Sequence, residues 1–136
     1  MALVNDGLTD GAATYQLCAV QATAGTHSVA TALVILSDGE REITETASGD
    51  GPVNAVFEAI NRITGLQGEL LDFRLASVTG GADALGEVFL RVKFPEGTFS
   101  GKAASTDIVG SSAQAYLKAV NKVLQRARTA EPIVNA

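Results

Sequence analysis

In the stretch Ser48-Gly-Asp-Gly-Pro-Val-Asn-Ala-Val-Phe-Glu-Ala-Ile-Asn-Arg-Ile63, a Gly-Asp-Gly-Pro turn runs directly into an amphipathic helix. Pro52 has the fixed φ that suits the first position of a helix, where its missing N–H is no loss. Gly51 is therefore the expected N-cap, and little side-chain bulk covers the free backbone N–H groups that follow it. Such a helix start favours a carboxylate or a phosphate, although Gly-rich turns before helices are also common as purely structural features.

Hydrophobic periodicity predicts the elements around this turn. The helix is predicted from Pro52 to about Thr64, because apolar residues recur at the i, i+3, i+4, i+7 spacing, and Gly65 is its expected stop. Three β-like segments precede it, near 14–24, 27–37 and 40–47. The middle segment is apolar on both faces, which is typical of a strand that is covered on both sides.

The second half of the chain repeats this order. Strand-like runs are predicted at about 69–79, 85–94 and 97–104. A final helix is predicted from near Ile108 to Arg128, although Gly110 and the capping-box pattern of Ser111 with Gln114 also favour a start one turn later. The two helices share a repeated segment, Val56-Phe-Glu-Ala-Ile-Asn-Arg-Ile63 and Tyr116-Leu-Lys-Ala-Val-Asn-Lys-Val123. The sequence therefore predicts an α+β fold that is an internal duplication of two βββα units.

The length of the chain, 136 residues, fits one domain with a modest core. We expect a linker or leader over 1–13, the domain over 14–128 with units at about 14–65 and 69–128, and a tail over 129–136. A βββα unit covers one face of its sheet with its helix and leaves the other face bare. Strands that are apolar on both faces therefore predict a homodimer, either intertwined or packed face to face.

Composition excludes several classes of partner. The net charge of −5 and the pI near 4.7 argue against a nucleic-acid partner. No apolar run approaches the length of a membrane span, so a membrane partner is not expected either. The single cysteine, Cys18, excludes an internal disulfide and fits a reducing cytoplasm.

Few residues are suited to catalysis. Cys18 lies in a β-like run and is expected to fill the core, and the single histidine, His27, is expected in an exposed turn. No pair of nucleophile and base and no metal-ligand cluster is evident, so we expect no catalytic residue, metal or cofactor. This argues against a small enzyme and favours a protein that binds a ligand.

Several segments occur in an order that is specific to one family. They are Gly49-Asp-Gly-Pro-Val53, Ala59-Ile-Asn-Arg-Ile63, Leu71-Asp-Phe73, Val78-Thr-Gly-Gly81, Asp83-Ala-Leu-Gly-Glu-Val88, Thr106-Asp-Ile108, Ala115-Tyr116 and Asn121. Over about residues 14–126 the chain resembles the C-terminal regulatory domain of 2-isopropylmalate synthase and of relatives such as citramalate synthase. The resemblance implies a domain of two βββα units that dimerises and binds a branched-chain amino acid near the dimer interface.

The resemblance also implies a regulatory role. The ligand would be leucine, acting as feedback inhibitor of leucine biosynthesis in an acyltransferase similar to 2-isopropylmalate synthase. The partner would be the catalytic barrel of that parent synthase, with its metal-binding histidines, and this chain alone would have no synthase activity. Two alternatives remain open: an isoleucine-binding regulatory domain of a citramalate synthase, and a dimerisation module without a ligand.

A free amino acid presents a carboxylate, an ammonium group and, here, an apolar side chain. The carboxylate suits backbone amides at the first helix start, around Gly49, Asp50, Gly51, Pro52, Val53 and Asn54. The ammonium suits Asp83, Asp107 or backbone carbonyls. By resemblance, the side-chain pocket falls on Val53, Asn54, Leu70, Phe73, Ser77, Ala84, Leu85, Gly86 and Ile108. A turn or N-cap role stays open for each aspartate, and above all for Asp50, as does a plain core role for the apolar residues.

Overall fold

A computed structural model describes residues 14–26, 28–79 and 84–135. In chain order, the elements within them are β1 (Gln16–Gly25), β2 (Ser28–Ser37), β3 (Glu42–Gly49), α1 (Pro52–Thr64), β4 (Glu69–Thr79), β5 (Ala84–Phe94), β6 (Gly97–Ser105) and α2 (Ile108–Asn135). The chain therefore consists of two βββα units, and the predicted α+β class and duplication are confirmed.

Each unit forms its own antiparallel sheet, with the strand orders β1-β2-β3 and β4-β5-β6. A hairpin joins β2 to β3. Asp38 fixes it, because its Oδ1 accepts hydrogen bonds from the N–H groups of Glu40 at 2.9 Å and Arg41 at 3.0 Å. These two N–H donors hold the pKa of Asp38 below its ordinary value.

The core lies where the helices meet the sheets and each other. Helix α1 packs on β2 and β3, helix α2 packs on β5 and β6, and the two helices also touch. The ring of Phe57 in α1 stacks on the ring of Tyr116 in α2, with a centroid distance of 4.3 Å and an interplanar angle of 15°. Both rings are buried, and burying a side chain of this size stabilises a fold by about 1.5–3 kcal/mol. This pair therefore joins the two units.

The start of α1 agrees with the sequence prediction. Gly51 is the N-cap in an extended conformation, with φ −159° and ψ 174°, and Pro52 begins the helix. The helix ends at Thr64 and is capped by Gly65, which takes a left-handed φ of 76° and donates its N–H to the carbonyl of Asn61. Glycine suits this last position because other residues rarely adopt a positive φ.

The start of α2 corrects one alternative. The helix begins at Ile108, so a start one turn later is wrong. The carboxylate of Asp107 caps this first turn, accepting the N–H of Val109 at 3.2 Å and that of Gly110 at 3.1 Å. Such a cap contributes about 1 kcal/mol, which offsets the similar cost of a glycine in the turn.

Helix α2 also extends to Asn135, beyond the end expected near Arg128. Ala127, Arg128, Ala130 and Glu131 are good helix formers and favour the first turn of this continuation, whereas Pro132 removes a backbone donor further on. In the residues described, neither helix combines the length and the apolar character needed to cross a membrane. The expected limits of linker, domain and tail stay a prediction.

Cys18 is exposed, so the prediction of a core cysteine is wrong. The cause is a β-bulge. The register of β1 on β2 shifts between Leu17 and Ala19, so Cys18 is not paired with any residue of β2. Partial desolvation and the neighbouring Glu42 raise the pKa of the Cys18 thiol, which disfavours the reactive thiolate. The expectation for His27 lies outside the described residues.

The outer faces of the two sheets differ in charge. The second sheet carries ion pairs there, from Asp72 to Arg74 at 2.9 Å and to Arg91 at 3.9 Å. The outer face of β2 instead carries apolar residues. Leu33 there is half-buried, and Val29 is 67% exposed. The strand is thus apolar on both faces, as predicted, and the homodimer that this pattern favours stays a prediction.

Candidate functional site

A cleft of about 250 Å³ opens between α1 and β4. We call it the α1–β4 cleft, and its lining residues are Val53, Asn54, Phe57, Asn61, Gly68, Leu70, Phe73 and Tyr116. Four of them lie along one face of α1, at a spacing that follows the helical repeat. Because Asn54 and Asn61 are seven residues apart, the cleft runs along about 10 Å of this helix.

The walls of the cleft are apolar in its middle. The ring of Phe57 meets the ring of Phe73 edge to face at a centroid distance of 6.3 Å. The same ring of Phe57 stacks on the ring of Tyr116. Leu70 stands at the mouth and is 42% exposed. Walls of this kind suit an aliphatic side chain, because they remove its surface from water without burying a polar group.

One end of the cleft is the start of α1. Its N-cap, Gly51, provides no side-chain hydrogen bond, and the first turn contains no acidic residue. The N–H of Ala55 donates to the carbonyl of Gly51 at 2.9 Å, and Asn54 Oδ1 accepts the N–H of Asp50 at 3.1 Å. The helical N–H groups of Val53 and Asn54 thus lack a side-chain cap, and the positive end of the helix dipole favours an anion there.

The other end of the cleft is a half-buried hydrogen bond between the units. The hydroxyl of Tyr116 donates to Asn61 Oδ1 at 2.7 Å. Burial raises the pKa of Tyr116 to about 12, so its phenol stays protonated at neutral pH. Gly68 lies against this pair, because a Cβ at Gly68 would come within 2.6 Å of the Tyr116 hydroxyl. A larger residue there would displace the tyrosine.

The cleft brings together four of the fifteen residues predicted for the site: Val53, Asn54, Leu70 and Phe73. Gly51 and Pro52 adjoin it at the start of α1. Gly49 has a structural role, since a Cβ there would lie 2.8 Å from the backbone nitrogen of Ala55. Asp50 is exposed beside the turn, and Gly51 rather than Asp50 is the N-cap.

A second group of predicted residues lies at the start of α2. Gly86 lies against Ile108, because a Cβ at Gly86 would come within 3.2 Å of Ile108 Cδ1. Ser77 of β4 pairs with Gly86 of β5. Leu85 precedes Gly86 in β5. Ser77 lies four positions after Phe73 in β4, which is about 13 Å of strand. Within one chain, therefore, this group does not line the α1–β4 cleft.

The predicted aspartates differ in availability. Both carboxylate oxygens of Asp107 already accept backbone N–H groups of α2, which makes Asp107 first of all a helix cap. Asp83 lies outside the described residues, and Ala84 is placed only by its backbone pairing with Thr79. Backbone carbonyls remain as the other group that suits an ammonium.

Sequence reasoning missed four residues of the cleft: Phe57, Asn61, Gly68 and Tyr116. Phe57 and Tyr116 lie on the buried, apolar faces of their helices, and the hydrophobic spacing does not indicate that these faces also line a cleft. The one available signal was the asparagine that both helices repeat, Asn61 and Asn121, because a polar residue at a repeated position beside a core face indicates a specific partner.

The polar side chains that line the cleft are uncharged hydrogen-bonding groups. Its lining residues include no acidic or basic side chain. Within 14–26, 28–79 and 84–135, no group of histidine, cysteine, aspartate and glutamate side chains is arranged to hold a metal ion. Backbone N–H groups at one end, apolar walls and a carboxamide at the other end match a small zwitterion with an aliphatic side chain.

The sequence is similar to one enzyme in several bacteria. It is 44% identical to 2-isopropylmalate synthase of Crocosphaera subtropica over 123 residues, which cover 90% of this chain and 23% of that enzyme. It is 42% identical to the Nostoc enzyme over 130 residues, covering 94% and 24%, and 40% identical to the Brevibacillus brevis enzyme over 134 residues, covering 98% and 26%. The chain thus spans about a quarter of the length of these relatives.

A family model matches nearly the whole chain. It is described as the LeuA allosteric (dimerisation) domain, and it matches residues 1–124. The match includes both βββα units as far as the middle of α2, and with them every residue that lines the cleft. The chain therefore belongs to the LeuA allosteric (dimerisation) domain family, the C-terminal regulatory domain of 2-isopropylmalate synthase.

Proposed function

We propose that this chain binds leucine and, through it, acts as the feedback-regulated domain of a 2-isopropylmalate synthase-like acyltransferase. The observation that carries the proposal is the uncapped start of α1 at the end of an apolar cleft. A free carboxylate fits the first feature and an aliphatic side chain fits the second, and leucine has both.

In this proposal the ligand lies along α1. Its carboxylate accepts hydrogen bonds from the N–H groups of Val53 and Asn54, where the helix dipole stabilises a negative charge by about 0.3–1 kcal/mol or more. Its side chain lies against Phe57, Leu70 and Phe73. Gly51 is open on its outer side, because a Cβ there would have no heavy atom within 4 Å. The carboxylate therefore has room to approach the helix start.

The proposed partners are a second copy of this chain and the catalytic barrel of the synthase, in the cytoplasm. A homodimer is supported by the apolar outer face of β2 and by Leu75 of β4, which is 57% exposed beside the cleft. In such a dimer, the group at the start of α2 completes the cleft of the other copy. Its members among the described residues are Ser77, Leu85, Gly86, Asp107 and Ile108, and Asp83 and Ala84 remain predicted site residues from the sequence.

Calorimetric titration of leucine, isoleucine, valine and methionine into the protein tests the proposal. We expect leucine to bind most tightly. A misplaced or missing methyl in an apolar pocket is worth about 1–3 kcal/mol, so the preference should be roughly ten- to two-hundred-fold. Tighter binding of isoleucine would favour the citramalate synthase alternative. No binding of any of the four at millimolar concentration would favour a dimerisation module without a ligand.

A further inference from the structure

The two units carry an asparagine at the same place in their helices, and the two carboxamides have different partners. Asn121 of α2 corresponds to Asn61 of α1 in the repeated segment. Asn121 Oδ1 accepts the N–H of Tyr15, and Asn121 Nδ2 donates to the carbonyl of Tyr15, both at 2.9 Å. The polar groups of Asn121 are therefore bound by the residue that leads into β1.

Asn61 has a donor that faces the cleft instead. Its Oδ1 accepts the hydroxyl of Tyr116, and no acceptor for its Nδ2 occurs among the residues that the structure places. Ser112 Oγ is the one buried side-chain polar atom without a partner in that part of the chain, so Nδ2 is accessible to solvent, and Asn61 itself lines the cleft. Gly68, which precedes β4 as Tyr15 precedes β1, adds no side chain at this end.

The length of the cleft determines how long a ligand side chain can be before it reaches the Nδ2 donor of Asn61. A carboxylate at the start of α1 lies about 10 Å along the helix from Asn61. Allowing about 4 Å for van der Waals contact with the carboxamide leaves about 6 Å for the aliphatic chain. An extended leucine spans about 5 Å from its carboxyl carbon to a Cδ methyl. A longer apolar chain would press on the N–H donors of Asn61 and remove their water, and a buried donor without a partner is costly.

We propose that Asn61 is a specificity-determining residue of the α1–β4 cleft, which admits an apolar side chain of the length of leucine and disfavours longer ones. Tyr116 is a positioning residue that acts through Asn61, because its hydroxyl fixes the orientation of the carboxamide. The inference rests on the proposed function, since it concerns the ligand of the same cleft.

The test compares the dissociation constants of leucine, norleucine and 2-aminoheptanoic acid by calorimetry. In the wild-type protein, 2-aminoheptanoic acid should bind at least ten-fold more weakly than leucine. The double variant Asn61→Leu, Tyr116→Phe removes both hydrogen-bonding partners at once, so that neither is left buried and unpaired. In this variant the ratio of the two constants should fall about ten-fold.

Asn121→Leu is the matched control, because it changes the corresponding carboxamide in the other unit. It should lower the melting temperature and leave the ratio unchanged. An unchanged ratio in a double variant with a native circular-dichroism spectrum would overturn the inference and leave the proposed function intact. If the double variant does not fold, Tyr116→Phe alone should lower the ratio, and an unchanged ratio there would also overturn it. A wild-type protein that binds no amino acid would remove the proposed function and this inference together.

Discussion

The two helix starts differ although their units are duplicates. The repeated segments align Gly51 with Ser111 and Pro52 with Ser112, so α2 begins one turn earlier than α1. The carbonyls of that extra turn receive the helical N–H groups that correspond to those of Val53 and Asn54. Its own first N–H groups are capped by Asp107. One unit thus satisfies its helix start with protein atoms, and the other leaves it without a side-chain cap.

On the proposed function, this difference explains why a duplicated fold would carry a single site. The strands and the apolar helix faces are common to both units and build the core, and the repeated asparagine lies half-buried in each helix. The site arises where the first unit has a shorter helix, a glycine cap and an open cleft beside β4. Substitutions at the positions where the two units differ test this difference.

Replacing Tyr116 by alanine should destabilise the protein most. Tyr116 is buried, stacks on Phe57 and hydrogen-bonds to Asn61, so it holds the two units together. Truncation of a large buried aromatic residue costs about 3–5 kcal/mol. Chemical denaturation would measure the loss, with Val56→Ala, the corresponding change in α1, as the control. An equal loss for both variants would contradict the special role of Tyr116.

The stability of the protein should fall at high pH because of the same residue. The pKa of Tyr116 is raised from 10.0 to about 12 by burial, so the folded state favours the neutral phenol. The resulting stabilisation is complete below pH 10 and is lost as the pH rises from 10 to 12, and it amounts to about 2–3 kcal/mol. Denaturation curves for wild type and Tyr116→Phe across this range would isolate it. Identical pH dependence of the two proteins would show that Tyr116 ionises freely.

Removing the cap of α2 should cost less. Asp107→Ala deletes the two hydrogen bonds to Val109 and Gly110, and loss of such a cap destabilises a protein by about 0.5–2 kcal/mol. Asp107→Asn is the control, because an asparagine still caps the helix. A change of less than about 0.3 kcal/mol on Asp107→Ala, by thermal or chemical denaturation, would mean that the turn does not depend on this carboxylate.

Giving α1 a cap of its own should barely change stability and should abolish leucine binding. Gly51→Asp places a carboxylate at the helix start in a conformation that any residue adopts, and the stability of an aspartate cap differs from that of a glycine cap by only a few tenths of a kcal/mol. The added charge would occupy the N–H groups and repel the carboxylate of the ligand.

Two further variants at this position separate charge from bulk. Gly51→Asn caps the helix without charge and should weaken binding less than Gly51→Asp. Gly51→Val should block the approach of the carboxylate while the fold is kept. Calorimetry on the folded variants decides the matter: wild-type affinity for leucine in Gly51→Asp would rule out the helix start as the carboxylate site.

Local signals in the sequence explain what could be predicted. The bounds of α1 follow from a proline at its start and a glycine after its end, which act within one turn and need no tertiary contact. The start of α2 was ambiguous because the cost of Gly110 and the gain from the Asp107 cap are of similar size. The exposure of Cys18 was not predictable, since a bulge depends on the register between two strands.

The residues of the candidate site likewise divide into those that local sequence signals indicate and those that depend on tertiary contacts. Val53 and Asn54 were predicted because they directly follow the bare turn. Phe57 and Tyr116 were read as core, since an amphipathic pattern reports which face of a helix is buried and not what lies across from it. Asn61 needs the pairing with Tyr116, 55 residues away in the chain. Contacts between units are tertiary, and only the repeat pointed to them.

The most direct test of the account is the change in backbone amide NMR shifts when leucine is titrated into the protein. We expect the largest shifts at the N–H groups of Val53 and Asn54, because they would donate to the carboxylate of the ligand. The corresponding amides of Ala113 and Gln114 in α2 should stay unchanged, since that helix already bonds them. Saturable leucine binding that leaves the amides of Val53 and Asn54 unmoved, with the shifts concentrated elsewhere, would contradict the account.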